Sequence, residues 1–177
     1  KYIAHHYYLP LILSETNSIE EKISYIRHII KTPSEVRFIE DLENYLATDD
    51  NRFKEFDWWI FSKLDESLDE VYIPYYNPNE NKISNFNPDF IFWLQKGNKY
   101  FIVFVDPKGI EYSGWADKLN GYKNIFEEEF KEINYNGFKV GVKLFFISRD
   151  ASIVRQRFPE YSQYWFSNIG RVLEKII

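Results

Sequence analysis

The chain has 177 residues, 45% of them apolar and 20% aromatic, and its 22 Lys and Arg against 27 Asp and Glu leave a net charge of −5. This apolar content is far above the signature of disorder, and no apolar stretch nears the ~20 residues that span a bilayer, so no membrane partner is expected. Without Cys there is no disulfide framework, no thiol nucleophile and no Cys-based zinc or iron–sulfur site, and only three His remain for imidazole chemistry. An acidic balance is also not the footprint of a protein that grips nucleic acid by itself, so any such affinity must be local or borrowed from a partner.

The sequence opens on Lys1-Tyr2-Ile3, contains no Met, and has no basic segment followed by an apolar run and a cleavage site. It reads as a domain of a longer, non-secreted protein in a cytoplasmic setting. With no repeat or Gly/Ser linker, residues 1–18 are expected to form an N-terminal strand and linker, and residues 19–177 a single domain. Tyr2 to Leu13 reads as a strand and Ser14 to Ser18 as a loop. Ser18, with Glu21 three residues on, can then cap a helix from about Ile19 to Ile30. On that strand His5 and His6 point to opposite faces and cannot share a metal, and His28 late in the helix is favoured there by the dipole.

Thr32-Pro33-Ser34 breaks the pattern, and Ser34 can cap a second helix in which Val36, Ile39, Leu42 and Leu46 recur at helical spacing. Asp57 to Phe61 is expected to begin a third, short helix, with the Trp58-Trp59 pair in the core. Val71 to Tyr76 reads as an edge strand marked by Pro74, and Asn77 to Asn87 as a polar loop. Phe90 to Leu94 and Tyr100 to Val105 are continuous apolar runs, which marks strands buried on both faces and so requires helices on both sides of the sheet. From Trp115, the series Leu119, Tyr122, Phe126, Phe130 and Ile133 predicts one long amphipathic helix, with Glu127 to Glu129 toward solvent. Val140 to Ile147 reads as another buried strand, followed by helical segments over Ser152 to Arg157 and Pro159 to Ile176. The fold class is α/β, a central mixed sheet flanked by helices on both faces.

The chemistry concentrates where the two central strands open. If Gly97-Asn98 is a two-residue turn, residue i pairs with residue 195 − i, and Asp89 faces Asp106. Two carboxylates opposed on buried strands repel each other and resist desolvation, so they require a cation between them or a shared proton; a divalent metal is the simplest answer. Asp106 and Lys108, two apart, emerge on the same face while the strand lasts. The plainer alternative makes Pro88-Asp89 and Asp106-Pro107 turn dipeptides with Lys108 solvated.

Taken together, Asn87-Pro88-Asp89-Phe90 and Val105-Asp106-Pro107-Lys108-Gly109 resemble the PD-(D/E)xK nucleases, the restriction-endonuclease-like superfamily. They look most like the C-terminal nuclease domain of type III restriction-like helicase–nuclease subunits. The resemblance spans roughly Ser34 to Ile147. It implies a restriction-endonuclease-like core and a Mg²⁺-dependent DNA endonuclease, with Mn²⁺ as a substitute. Asp89 and Asp106 are then the implied metal ligands, and Lys108 the group that positions or activates the attacking water. Relatives commonly add a Glu from the core helix. Glu35 is the candidate and Glu40 and Glu43 are its competitors, although a first-turn Glu is also favoured by the helix dipole alone. Lys118 and Tyr122 match the spacing of a DNA-contacting Lys and Tyr on the following helix, but Tyr122 also lies on the core stripe. Arg149, Arg155 and Arg157 suit either a phosphate backbone or a solvated face.

One departure is Pro107 at the variable position, which removes a backbone N–H beside the site. The implied partners are DNA, an adjoining helicase or ATPase region or subunit, and a second copy of the chain if both strands are to be cut. No phosphate-binding Gly-rich loop is present in the chain itself. The alternative from another class is a catalytically inactive nucleic-acid- or protein-binding module of the same fold.

Overall fold

The apolar runs pair with one another in a computed structural model that describes residues 2–3, 11–13, 29–30, 32–65, 70–108, 114–130 and 133–177. Three short strands, β1 (Tyr2–Ile3), β2 (Leu11–Leu13) and β3 (Ile29–Ile30), make a small sheet of their own in the order β1-β2-β3. Ile29–Ile30 is therefore extended where a helix was expected to end. The rest of that helix, the loop before it, His5, His6 and His28 lie outside the described residues.

Helix α1 (Pro33–Leu46) is capped at Thr32 and so starts two residues earlier than a Ser34 cap would set, because proline at the first helical position is already preset for helix. Strand β4 (Trp58–Lys63) replaces the short helix expected at Asp57 to Phe61. Its aromatic and β-branched run fits a pleated strand, and it pairs antiparallel with β7 (Phe90–Lys96) from Trp58↔Gln95 to Lys63↔Phe90. Trp59 goes into the core, whereas Trp58 is exposed and not a core residue. Strand β5 (Ile73–Asn77) pairs with β6 (Lys82–Phe86), so half of the expected polar loop is a strand. Asn81, at φ 50°, turns the chain between them.

Strands β7 and β8 (Lys99–Pro107) form the expected hairpin, with every pair from Phe90↔Val105 to Lys96↔Lys99 in the 195 − i register. Gly97 supplies φ 58° at the first turn position. Helix α2 (Trp115–Lys123) is shorter than expected. A π-helical turn over Asn124–Glu129 follows it, and Ile133 opens strand β9 (Ile133–Tyr135) instead of closing a helix. The physical reason is Asn136-Gly137, at φ 47° and 83°, a primed hairpin turn that folds β9 back on β10 (Phe138–Ile147). Glu127 leaves solvent to accept a 2.6 Å hydrogen bond from the Tyr164 hydroxyl. Helix α3 (Ala151–Arg157) is as expected, but Pro159 to Ile176 is divided into a 3-10 turn over Pro159–Tyr164, strand β11 (Trp165–Phe166) and helix α4 (Ile169–Ile176).

The main sheet runs β11-β10-β8-β7-β4, with β9 pairing to β10; it is mixed, because β8, β10 and β11 are parallel while β4, β7 and β8 alternate. Successive residues feed opposite cores. Phe90, Phe92, Leu94, Val103 and Val105 pack under α1 and α4, and Ile91, Phe104, Leu144 and Phe146 pack under α2, α3 and the β5–β6 hairpin. Each fully buried Phe of this kind contributes roughly 1.5–3 kcal/mol, so the register of the central hairpin is held from both faces.

Candidate active site

The pleat that sorts these cores also places the charged residues at the open end of the β7–β8 hairpin. Asp89 shares the parity of Ile91, and Asp106 that of Phe104, so both carboxylates lie on the α2 face. Asp89 stands one residue before β7, and its carbonyl accepts a 2.8 Å bond from Leu64 N–H, which extends the ladder to β4. Asp106 is 1% exposed and pairs across to Phe146 of β10.

Pro107 leaves this geometry undistorted: it stays in register with Ile147, and Lys108 N–H donates to Ile147 O at 2.9 Å. Since alternate N–H groups of a strand point to alternate neighbours, the N–H that proline lacks would point past the end of β7, where no ladder partner stands.

Three lysine–carboxylate ion pairs close the end of the sheet. Lys108 Nζ is 3.0 Å from Asp106 Oδ1, and Lys63 Nζ is 3.0 Å from Glu35 Oε2 and 3.5 Å from Asp89 Oδ1. Lys118 completes the group from α2; its charge holds down the Asp106 carboxyl. Two aromatic rings floor these ammonium groups. Phe86 lies 5.8 Å from Lys108 and 4.9 Å from Lys118, and Phe90 lies 5.5 Å from Lys63. Glu35, in the first turn of α1, is buried, whereas Glu40 is exposed; of the three helix glutamates it is Glu35 that meets the Asp89 ion-pair chain.

Burial dominates the electrostatics. It pushes the Asp89 carboxyl up to about 6, with the Asp106 charge adding to the rise and Lys63 and Lys108 opposing it. Asp106 is likewise raised by burial, against the pull of Lys108, Lys118 and Lys63. Asp106 Oδ1 is a buried oxygen, and the Lys108 ammonium lies 3.0 Å from it.

Two desolvated carboxylates on one face, one with such an oxygen, suit a hard divalent cation, whose preference is for oxygen ligands. No group of three Asp, Glu or His side chains surrounds a single point among the described residues. Glu35 is linked to Asp89 through the ammonium of Lys63.

Tyr122 corrects the sequence reading. It is 1% exposed, its hydroxyl donates to Val142 O at 2.9 Å, and burial raises its pKa, so it is a core residue with no surface for nucleic acid. Arg149, Arg155 and Arg157 are exposed. Lys63 is the residue that sequence reasoning missed. Once Trp58 to Lys63 is read as a strand paired with β7, Lys63 falls opposite Phe90, next to Asp89, and the signal is visible.

The model of the YagJ family matches residues 26–150. The chain belongs to the YagJ family. The matched span holds Glu35, Lys63, Asp89, Asp106, Lys108 and Lys118, so the whole charged cluster of this YagJ-family chain lies inside it. No curated protein and no solved structure matches the chain. No helix among its described residues is long and apolar enough to cross a membrane.

Proposed function

We propose that this YagJ-family domain is a metal-dependent DNA endonuclease that hydrolyses phosphodiester bonds within a larger, cytoplasmic helicase–nuclease of restriction or defence type. The observation that carries the reading is the placement of Asp89 and Asp106 on one face of adjacent strands, both raised in pKa, with Lys108 3.0 Å from Asp106. A mixed sheet with helices on both faces is the architecture that the PD-(D/E)xK resemblance implies, which supports a restriction-endonuclease-like core.

In this reading Asp89 and Asp106 hold Mg²⁺, or Mn²⁺ in its place, and Glu35 is the reserve ligand from α1. The ion supplies polarisation of a phosphoryl oxygen and a lowered pKa for a coordinated water. Lys108, fixed by Asp106 and the Phe86 ring, directs its ammonium to the attacking water and the charge that develops on the phosphoryl group. Lys118 adds positive charge beside it for the phosphate backbone. A chain of net charge −5 receives DNA from an adjoining helicase region or subunit, and a second copy supplies the second site where both strands are cut.

The test is calorimetric titration of Mn²⁺ into the folded native domain and into Asp89→Ala and Asp106→Ala, followed by plasmid cleavage with the full-length parent. Binding lost in both variants, together with cleavage by the native parent alone, is the expected result. A native chain that neither binds Mn²⁺ nor cleaves as part of its parent overturns the reading. One observation favours the second reading, an inactive binding module: three ammonium groups already balance the three carboxylates. DNA binding that needs no divalent ion, with no cleavage, would establish it.

A further inference from the structure

We infer that Lys63 is an internal counter-cation that competes with a divalent metal ion for Glu35, holding the site shut until the ion displaces it. The inference rests on the metal reading above and adds a residue to which that reading gives no part.

Lys63 leaves β4 on the α1 face, with the parity of Trp59 and Phe61, while Asp89 lies on the α2 face. Its ammonium reaches the end of the sheet and stands between the two, 3.0 Å from Glu35 Oε2 and 3.5 Å from Asp89 Oδ1. An ion held by Glu35 together with Asp89, just before β7, would need this same space. The position is also built to hold a cation: the Lys63 side chain is 17% exposed, Glu35 10% and Asp89 27%, and the Phe90 ring lies 5.5 Å from the ammonium.

Partial burial strengthens both alternatives. Two like charges a few ångströms apart in a site of reduced dielectric exclude one another, so ammonium and metal cannot both occupy the gap. The same burial makes an empty gap costly, because Glu35 and Asp89 without a counter-charge are desolvated carboxylates. Lys63 therefore stabilises the metal-free chain and raises the ion concentration needed to recruit Glu35. Asp106 is paired at 3.0 Å with Lys108, and Lys63 acts on it through the field of its charge.

The experiment is Mn²⁺ titration of the native chain, Lys63→Met, Lys63→Arg and the double variant Lys63→Met/Glu35→Gln, with melting of each metal-free and metal-loaded form. Lys63→Met should bind Mn²⁺ about tenfold more tightly or more, the gain expected from removing a nearby partly buried charge. It should also melt at a lower temperature without metal and be rescued by Mn²⁺ more than the native chain is. The gain should vanish in the double variant, since it operates through Glu35, and Lys63→Arg, which keeps the charge, should bind no more tightly than the native chain.

Equal affinity in the native chain and Lys63→Met overturns the inference and leaves the metal reading standing. So does a gain that survives Glu35→Gln, which would mark simple long-range repulsion. Absence of Mn²⁺ binding in every form overturns the inference and the metal reading together. If metal-free Lys63→Met does not fold, refolding on addition of Mn²⁺ supports the exchange, and failure to refold overturns it.

Discussion

The two ends of the β7–β8 hairpin carry the same kinds of side chain in opposite conditions. At the turn, Lys96 Nζ lies 3.1 Å from Glu55 Oε2, Arg52 adds a 2.7 Å contact to the same carboxylate, and Asp57 accepts a 2.7 Å bond from Gly97 N–H. These groups are solvated, and the hydrogen bonds from Arg52 and Lys96 pull the Glu55 carboxyl below its ordinary value. At the open end, lysines also stand within ion-pair distance, 3.5 Å from Asp89 and 3.0 Å from Asp106, yet both carboxyls are raised, because desolvation exceeds what the ammonium groups return. Ion-pair distance does not distinguish the ends; burial does. The turn end is a place where charge ends a hairpin, and the open end is one where the fold retains charge against its own stability, as functional sites commonly do.

The largest effect that tests this contrast is Asp106→Ala, read as DNA cleavage by the full-length parent. Loss of an ion's outer hydrogen-bond partner costs roughly 10–100-fold, and if Asp106 holds the ion as proposed, its loss should exceed that. A variant that stays folded and cleaves within tenfold of the native parent would put the open end on the same structural footing as the turn end.

Next in size is the stability of the metal-free chain. The Asp89 carboxyl rises from 3.8 unfolded to about 6 folded, so the folded state binds its proton more tightly. That contribution is fully present below pH 3.8 and is lost as pH rises through about 6. Asp89→Asn mimics the protonated form at every pH. It should match the native chain near pH 4 and exceed it by about 2 kcal/mol at pH 7.5, as read by denaturant unfolding. A difference that does not vary with pH would remove burial as the source of the contrast.

Both predictions concern a hairpin whose register was legible in the sequence, because Gly97-Asn98 fixes the turn and two apolar runs fix the length, which sets Asp89 against Asp106. Lys108 followed from parity alone. Lys63 was not legible while Trp58 to Phe61 read as helix: a run apolar all round fits a buried helix or a buried strand equally, and only its long-range pairing with β7 decides. Tyr122 failed differently. Its spacing from Lys118 and its place on the core stripe were both visible, and the Val142 carbonyl that claims its hydroxyl arrives from β10, which local sequence does not show. The break at Ile133 was written in Asn136-Gly137, a strong local turn signal that the helical period obscured.

A smaller effect tests what holds the lysine floor in place. Phe86, near both Lys108 and Lys118, belongs to the β5–β6 hairpin, which packs on α2 at Gly121. A Cβ there would stand 2.5 Å from Pro74 O and 2.6 Å from Tyr75 Cβ, so the hairpin must shift. Overpacking of this kind costs about 1–3 kcal/mol, offset by up to about 1 kcal/mol of helix propensity. Gly121→Ala should therefore unfold at modestly lower denaturant, and it should weaken cleavage at the open end if Phe86 sets the lysine positions. Unchanged cleavage despite the shift in stability would show that Phe86 does not set the lysine positions.

The smallest effect belongs to the turn end. Glu55→Gln removes the negative charge that Lys96 and Arg52 share and one of its two acceptor oxygens, a loss that looks severe on distances of 3.1 and 2.7 Å. All three groups are exposed enough for water and salt to take over their solvation, and the lysine and arginine also give up the entropy of being held. The expected outcome is a melting curve that overlays the native one, with whatever small difference appears at low salt disappearing as salt is added. Cleavage should not change, because the length of the hairpin separates this carboxylate from the open end. A clear destabilisation that persists in high salt would mean that the turn-end network is shielded from solvent as the open end is. The opposite directions of the Glu55 and Asp89 shifts would then need a cause other than burial.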